Sequence, residues 1–208
     1  MRSRTLQRAD ALTRLTLRFA RVERVTRHED GIRPETDSDH TVMLGIVACD
    51  LADDLAPIVG AFDRGMVAQF ALVHDIVEAY AGDVQTLTID AAGRAAKADR
   101  EAAAVARLTE EFGAESWLVR CLTKYEAQDT AEARYVRVLD KVLPKLTHTA
   151  NGCCAAVLLT DRDGFAASHA AQLRKLRDEY PEFYMYGVLL LLAESMRASE
   201  AAWPTEAA

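Results

Sequence analysis

Apolar residues return along this chain every three or four positions, the spacing that lays one apolar stripe along a helix. From Ala9 to Arg24 the stripe passes through Leu12, Leu15, Leu17, Phe19 and Val22, ending among Arg21, Arg24 and Arg27. The polar stretch His28-Glu29-Asp30-Gly31-Ile32-Arg33-Pro34-Glu35 breaks the pattern and reads as a loop. Asp37 or Ser38 then caps a helix from His40 to Leu55, with Pro57 near its end. A second strong helix spans Asp63 to Tyr80 and closes on Ala81-Gly82, and Val84 to Ile89 is a short apolar connector. Ala91 to Phe112, alanine-rich and charged, predicts a helix with one solvated face; Gly113 breaks it, and Ser116 to Glu126 predicts a shorter one. Thr130 to Ala150 reads as a helix interrupted at Pro144, where a missing N–H and a crowding ring predict a kink just beyond Asp140. Turns follow near Asn151-Gly152 and Asp161-Arg162-Asp163-Gly164. Helices over Phe165 to Glu179 and Pro181 to Glu200, the latter with Pro181 at its start, complete the chain. Convincing strand alternation and internal repeats are missing, so residues 1–208 predict a single all-α domain, a bundle of about seven or eight helices.

Composition narrows this further. Half of the residues are hydrophobic, too many for a disordered chain, and only 10 glycines and 5 prolines argue against a loop-rich scaffold. No apolar run approaches the ~18 residues of a membrane-spanning helix. The first residues carry scattered charge without a continuous apolar segment, unlike a secretory leader, so a cytoplasmic location is expected. With 25 basic and 32 acidic residues the net charge is −7, which removes any general attraction to nucleic acid polymers or anionic membranes. Cys49, Cys121, Cys153 and Cys154 form no C-x-x-C pair and read as free thiols. Asp161-x-Asp163-Gly164 opens like a calcium loop, but its glycine comes too early and Gln172 stands where a bidentate Glu belongs, so that reading fails.

The candidate chemistry lies in His40, the pair His74-Asp75, and Asp140. Each interrupts an apolar helical run: HTVMLGIVA, FALVHDIVEAY and YVRVLDKVL. A carboxylate or imidazole buried there is costly unless a partner satisfies it. Singly, each reads as a hydrogen-bonded core or capping residue. Together they offer two nitrogens and two oxygens to one divalent transition metal, and that mixed set suits Mn, Co, Fe, Ni or Zn better than Mg or Ca.

The ordered set His, His-Asp, distant Asp resembles the HD-domain phosphohydrolases. Ser38-Asp39-His40, the run Leu72-Val73-His74-Asp75-Ile76-Val77-Glu78 and the closing Gly82-Asp83 are similar, more narrowly, to the 5′-deoxynucleotidase and HD-domain-containing-protein-2 group. The resemblance runs from Arg21 to Asp140. It implies an HD-domain helical bundle, a metal held by His40, His74, Asp75 and Asp140, and hydrolysis of (deoxy)nucleoside 5′-monophosphates, a small-molecule substrate. A homodimer is a further family-level expectation, to which the apolar segment FYMYGVLLLLA lends some support, although it reads equally as a buried core helix.

Residue chemistry fits the implied reaction. Glu78, four residues after His74, shares its helical face, where a carboxylate can orient a water or take its proton. Asp83 follows Gly82 and can protonate the leaving oxygen or hold a sugar hydroxyl; it reads also as a turn residue. Phosphate needs a cation beyond the metal. In the resembling enzymes an arginine upstream of the first His contacts phosphate, which implies Arg21 as the first candidate here and, because the loop before His40 is longer, Arg24 as the second; Val22 stands where those enzymes carry an aromatic residue. Members of the resembling family that hold two metals draw extra histidines from the interval between the His-Asp pair and the distant Asp. None lies between Asp75 and Asp140, so the resemblance implies one metal, and His148 and His169 read as surface or capping residues. Two alternatives stay open: hydrolysis of another nucleotide phosphoester or pyrophosphate, and a non-catalytic metal-containing helical regulatory module.

Overall fold

Ser3 opens the first helix by accepting the Leu6 N–H, and α1 (Arg4–Phe19) buries Leu15 and Phe19. The computed structural model describes residues 3–55, 62–181 and 187–205. Helix α1 stops five residues before the expected Arg24. The chain then turns into β1 (Glu23–Arg27), which pairs antiparallel with β2 (Pro34–Thr36), Glu23 opposite Thr36 and Arg27 opposite Pro34. The expectation of no strands is therefore corrected, as is the reading of Pro34-Glu35 as loop. A hairpin this short carries too little alternation to register as a pattern, and a distant residue helps to anchor it: Asn151 Nδ2 donates to the Arg27 carbonyl at 2.7 Å.

Helix α2 (Asp37–Asp50) begins earlier than His40 because Thr36, rather than Asp37 or Ser38, caps it. Thr36 is the last extended residue of β2, and it forms a reciprocal capping box with Asp39. The one-turn α3 (Ala52–Leu55) follows; Pro57 lies outside the described residues. Helix α4 (Arg64–Val73), capped by Asp63, does not run on to Tyr80. It tightens into a turn in which Ile76 N–H donates to Val73 and Glu78 N–H to Asp75, at 3.1 and 2.8 Å, before the short α5 (Glu78–Ala81). These i to i+3 bonds overwind the backbone where His74 and Asp75 are presented.

Helices α6 (Ala91–Phe112), α7 (Trp117–Glu126) and α8 (Ala131–Ala150) take their expected spans, capped by Asp90, Ser116 and Thr130. Contrary to expectation, α8 passes through Pro144 without interruption. Proline in a helix costs about 3 kcal/mol, but Val138, Leu139, Val142 and Leu143 around it are buried, each contributing about 1.5–3 kcal/mol. Helix α9 (Arg162–Glu179) starts before Phe165 because Asp161 accepts the Gly164 N–H at 2.7 Å. The last, α10, is Gly187–Ala201; its expected start beside Pro181 borders residues 182–186, outside the described residues. Eight of the described helices reach ten residues or more, and the all-α expectation holds apart from the hairpin.

Helix α8 is the axis of the bundle, packing along α10, α4 and α2. Its Tyr135 is fully buried, stacks on Phe62 and donates to the Ala48 carbonyl at 3.0 Å. In the described part of FYMYGVLLLLA, Val188, Leu189 and Leu192 are core residues. All four cysteines are free. No described helix is long and apolar enough to cross a membrane.

Candidate metal centre

Three elements deliver the four ligand candidates: the first turn of α2 brings His40, the α4–α5 turn brings His74 and Asp75, and the middle of α8 brings Asp140. One ligand atom from each lies within 4.8 Å of all the others. His40 is fully buried. Its Nδ1 lies 2.9 Å from Glu35 Oε1 and its Nε2 2.8 Å from Asp140 Oδ1. Burial works against a charged ring, but the bonds from Asp140 and Glu35 prevail and raise the His40 pKa to about 9. A carboxylate behind one ring nitrogen fixes the other toward the centre, the usual support for a metal-ligating histidine.

His74 is held differently. Its Nδ1 donates to the Ala71 carbonyl at 2.8 Å, so in the neutral ring Nε2 carries a lone pair. That Nε2 is buried with no hydrogen-bond partner, although Asp75 Oδ2 lies 3.0 Å and Asp140 Oδ1 3.9 Å away. A lone pair converging with carboxylate oxygens is unfavourable unless a cation sits among them, so these residues fit a divalent metal on their own chemistry. Asp75 and Asp140 both stay ionised. Burial raises their pKa, but His74 lowers that of Asp75, and Lys141 and the His40 bond hold Asp140 well below the carboxylate range.

Around this set lies a second layer of charge. Arg24 Nη1 donates to Asp37 Oδ1 at 3.1 Å and to Asp75 Oδ2 at 3.0 Å, and its Nε lies 3.5 Å from Glu35. Arg24 reaches the centre because β1 is extended: alternation puts it on one strand face with the buried Thr26. Arg21, the first choice from sequence, is exposed in the turn after α1 and does not line the cleft. The continuous helix that would have aligned Arg21, Arg24 and Arg27 does not form.

Glu78 is buried; its Oε1 accepts from Lys97 Nζ at 3.2 Å and its Oε2 has no partner. Burial, then the charges of Asp75, Asp37 and Asp83, push its carboxyl up to about 10 against the pull of Lys97. Asp83 lines the same cleft and is also raised, chiefly by burial. Asp37, fully buried, is lifted to about 6 by burial against Arg24. It forms a further carboxylate group with Asp75 and Glu78.

The structure thus lines one cleft with His74, Asp75, Asp140, Glu78, Asp83 and Arg24, holds His40 buried against them, and leaves Arg21 outside. Sequence reasoning missed Glu35, Asp37, Lys97 and Lys141. Glu35, five residues before His40, was hidden in a polar stretch, and Lys97 in an apparently solvated helix face. Only the Lys beside Asp140 carried a visible signal, since Lys141 Nζ bonds Asp140 Oδ2 at 2.5 Å.

Comparison with known proteins agrees with this geometry. Residues 17–180 match the HD-domain family. The chain is 30% identical over 111 residues to the human 5′-deoxynucleotidase HDDC2, and equally to the Bos taurus protein. Each match covers 52% of this chain and 50% of the relative, so the chain spans about half the length of the curated relatives it matches. A crystal structure of a predicted metal-dependent phosphohydrolase from Magnetospirillum magnetotacticum MS-1 superposes with a TM-score of 0.68 at 25% identity. It covers 99% of this chain and 100% of the other.

Proposed function

The chain belongs to the HD-domain family, and from that premise we propose that it is a metal-dependent phosphohydrolase acting on (deoxy)nucleoside 5′-monophosphates. One observation carries the reading: four ligand atoms of His40, His74, Asp75 and Asp140 converge within 4.8 Å around the buried, unpartnered His74 Nε2. A divalent ion held there supplies positive charge that polarises a phosphoryl oxygen, lowers the pKa of a water and favours ionised carboxylates nearby.

The remaining steps fall to the chain's own side chains. Arg24 neutralises non-bridging phosphate oxygens with its planar guanidinium, held in the cleft by Glu35 and Asp37. Glu78 takes the attacking water's proton at Oε2 while Lys97 steadies Oε1. Asp83, whose carboxyl is raised by burial, hands a proton to the departing 5′ oxygen. A purely structural metal would need none of these three groups, which favours an enzyme over a regulatory module. Similarity to the HDDC2 proteins supports the monophosphate as substrate.

A panel assay tests this. Mn, Co, Fe, Ni, Zn and Mg are offered in turn with nucleoside mono-, di- and triphosphates, and released phosphate and pyrophosphate are measured. Metal-dependent phosphate release from monophosphates is expected. Pyrophosphate release, or no turnover with any metal, would overturn the assignment.

A further inference from the structure

The cleft does not end at the metal centre. With a volume of about 1130 Å³, it runs from Asp75 and Asp140 past Pro144 to the wall made by α9. That exceeds the ~300–1,000 Å³ usual for a small-molecule site. At its far part stand Lys145 and His148, both only 8% exposed although the sequence suggested a surface histidine. Lys145 follows Asp140 by five residues, ~7.5 Å along the helix axis, and His148 follows it by three more on the same face.

Neither side chain is satisfied. Lys145 Nζ donates to Gln172 Oε1 at 2.6 Å. An ammonium has three donors, and among the described residues the bond to Gln172 is the one that this ammonium makes. His148 Nδ1 is buried and unpartnered, its ring edge-on to Phe165 at 5.8 Å. Neighbouring His169 is already paired with Glu200 at 2.8 Å. A buried lysine is rare unless paired, because an uncompensated charge away from water is costly.

We propose that Lys145 and His148 form a second phosphate subsite in the cleft, separate from the metal centre. What the site lacks is negative charge together with several acceptor oxygens. A base carbonyl or a water would offer oxygen without neutralising the ammonium; a phosphate supplies both. Its oxygens take the two spare Lys145 donors and, with the ring in its Nδ1-protonated tautomer, the His148 N–H. Burial and Lys141 lower the Lys145 pKa to about 7 against a weaker opposing pull from Asp140, the response of an ammonium with no carboxylate in contact. The phosphate is either a second one carried by the nucleotide, a case that rests on the function proposed above, or free inorganic phosphate.

Calorimetric titration of inorganic phosphate into the full-length, chelator-treated protein decides whether the subsite exists. Wild type and Lys145→Arg are expected to bind, and Lys145→Met to bind at least tenfold more weakly. Equal binding by Lys145→Met, or no binding by wild type, overturns the proposal. Should Lys145→Met fail to fold, His148→Phe makes the same comparison, with the same two results decisive. The source of the phosphate is read from turnover of a nucleoside 3′,5′-bisphosphate relative to its 5′-monophosphate. A tenfold fall in that kcat/KM ratio in Lys145→Met assigns the site to substrate, and an unchanged ratio assigns it to free phosphate. If wild type turns over neither nucleotide, the nucleotidase reading fails while the phosphate titration still decides the subsite.

Discussion

Glu35 touches none of the proposed chemistry directly, which makes its exchange for glutamine informative. Its Oε1 lies 2.9 Å from His40 Nδ1 and 3.5 Å from Arg24 Nε, and the side chain is 1% exposed. Glu35→Gln keeps the volume and one acceptor oxygen but removes the charge that, after Asp140, raises the His40 pKa and that fixes the direction of the ring. Loss of such a partner behind a metal-ligating histidine weakens metal affinity by roughly 10–100-fold. At 25 °C this corresponds to about 1.4–2.8 kcal/mol. The same change weakens the charge-assisted bond to His40, worth about 1.5–3 kcal/mol, and the ion pair with Arg24, so the chain itself should lose stability. Two measurements separate these effects. Competition with a chromophoric chelator gives the metal affinity, and denaturant unfolding of the chelator-treated protein gives intrinsic stability. We expect both to fall in Glu35→Gln, with Asp140→Asn losing more metal affinity than Glu35→Gln. Wild-type metal affinity in Glu35→Gln would refute the argument that Glu35 aims His40 at the centre.

Three further outcomes follow from the same geometry. Asp75→Asn should lose both metal and turnover by elemental analysis and assay, whereas Glu78→Gln should keep its metal and lose roughly 10²–10⁴-fold in rate; full activity in Glu78→Gln contradicts its role as proton acceptor. Arg24→Lys should be nearly as damaging as Arg24→Ala, costing about 2–4 kcal/mol in kcat/KM because a point charge cannot replace the fork, and Arg21→Ala should leave kcat/KM unchanged; the reverse pattern would put Arg21 on the phosphate. In chelator-treated protein Glu78 titrates near 10 when folded and near 4.5 when unfolded, so the native state binds more protons between those values. Its contribution to stability is therefore complete below about pH 4.5 and is lost as pH rises toward 10. Glu78→Gln should gain stability relative to wild type across that window in urea unfolding, and a constant difference would show that the carboxyl is ionised throughout.

Much of the bundle was legible because its helices advertise themselves locally. Asp90, Ser116 and Thr130 cap α6, α7 and α8 through their own side chains, and Gly113 stops α6 with φ +83°. At the end of α1 a longer-range contact overrode the local signal. The apolar periodicity of α1 continues past Phe19, yet residues 23–27 pair with 34–36, and Asn151 from the end of α8 secures them. Residues 74–77 keep helical spacing in sequence, but their hydrogen bonds tighten to i+3 at the turn that carries His74 and Asp75. Pro144 suggested an interruption, yet α8 continues through it among buried neighbours.

The sequence by itself determined the identity and order of the proposed ligands, because a polar residue inside an apolar helical run demands a partner wherever the helix ends up. Singly, His40, His74, Asp75 and Asp140 read as hydrogen-bonded core or capping residues; only their ordered set, and its resemblance to a known family, pointed to a shared metal. Glu78 and Asp83 were legible beside them from spacing, and tertiary structure decided the other basic and acidic groups that surround them. Arg24 rather than Arg21 enters the cleft because a hairpin replaces the end of a helix. Glu35, Lys97 and Lys145 acquire meaning only through elements far away in sequence or through burial that their own neighbourhoods do not predict. Charged side chains look alike along a chain, since water satisfies them all equally; they differ only once packing removes that water and leaves each with a particular partner or with none.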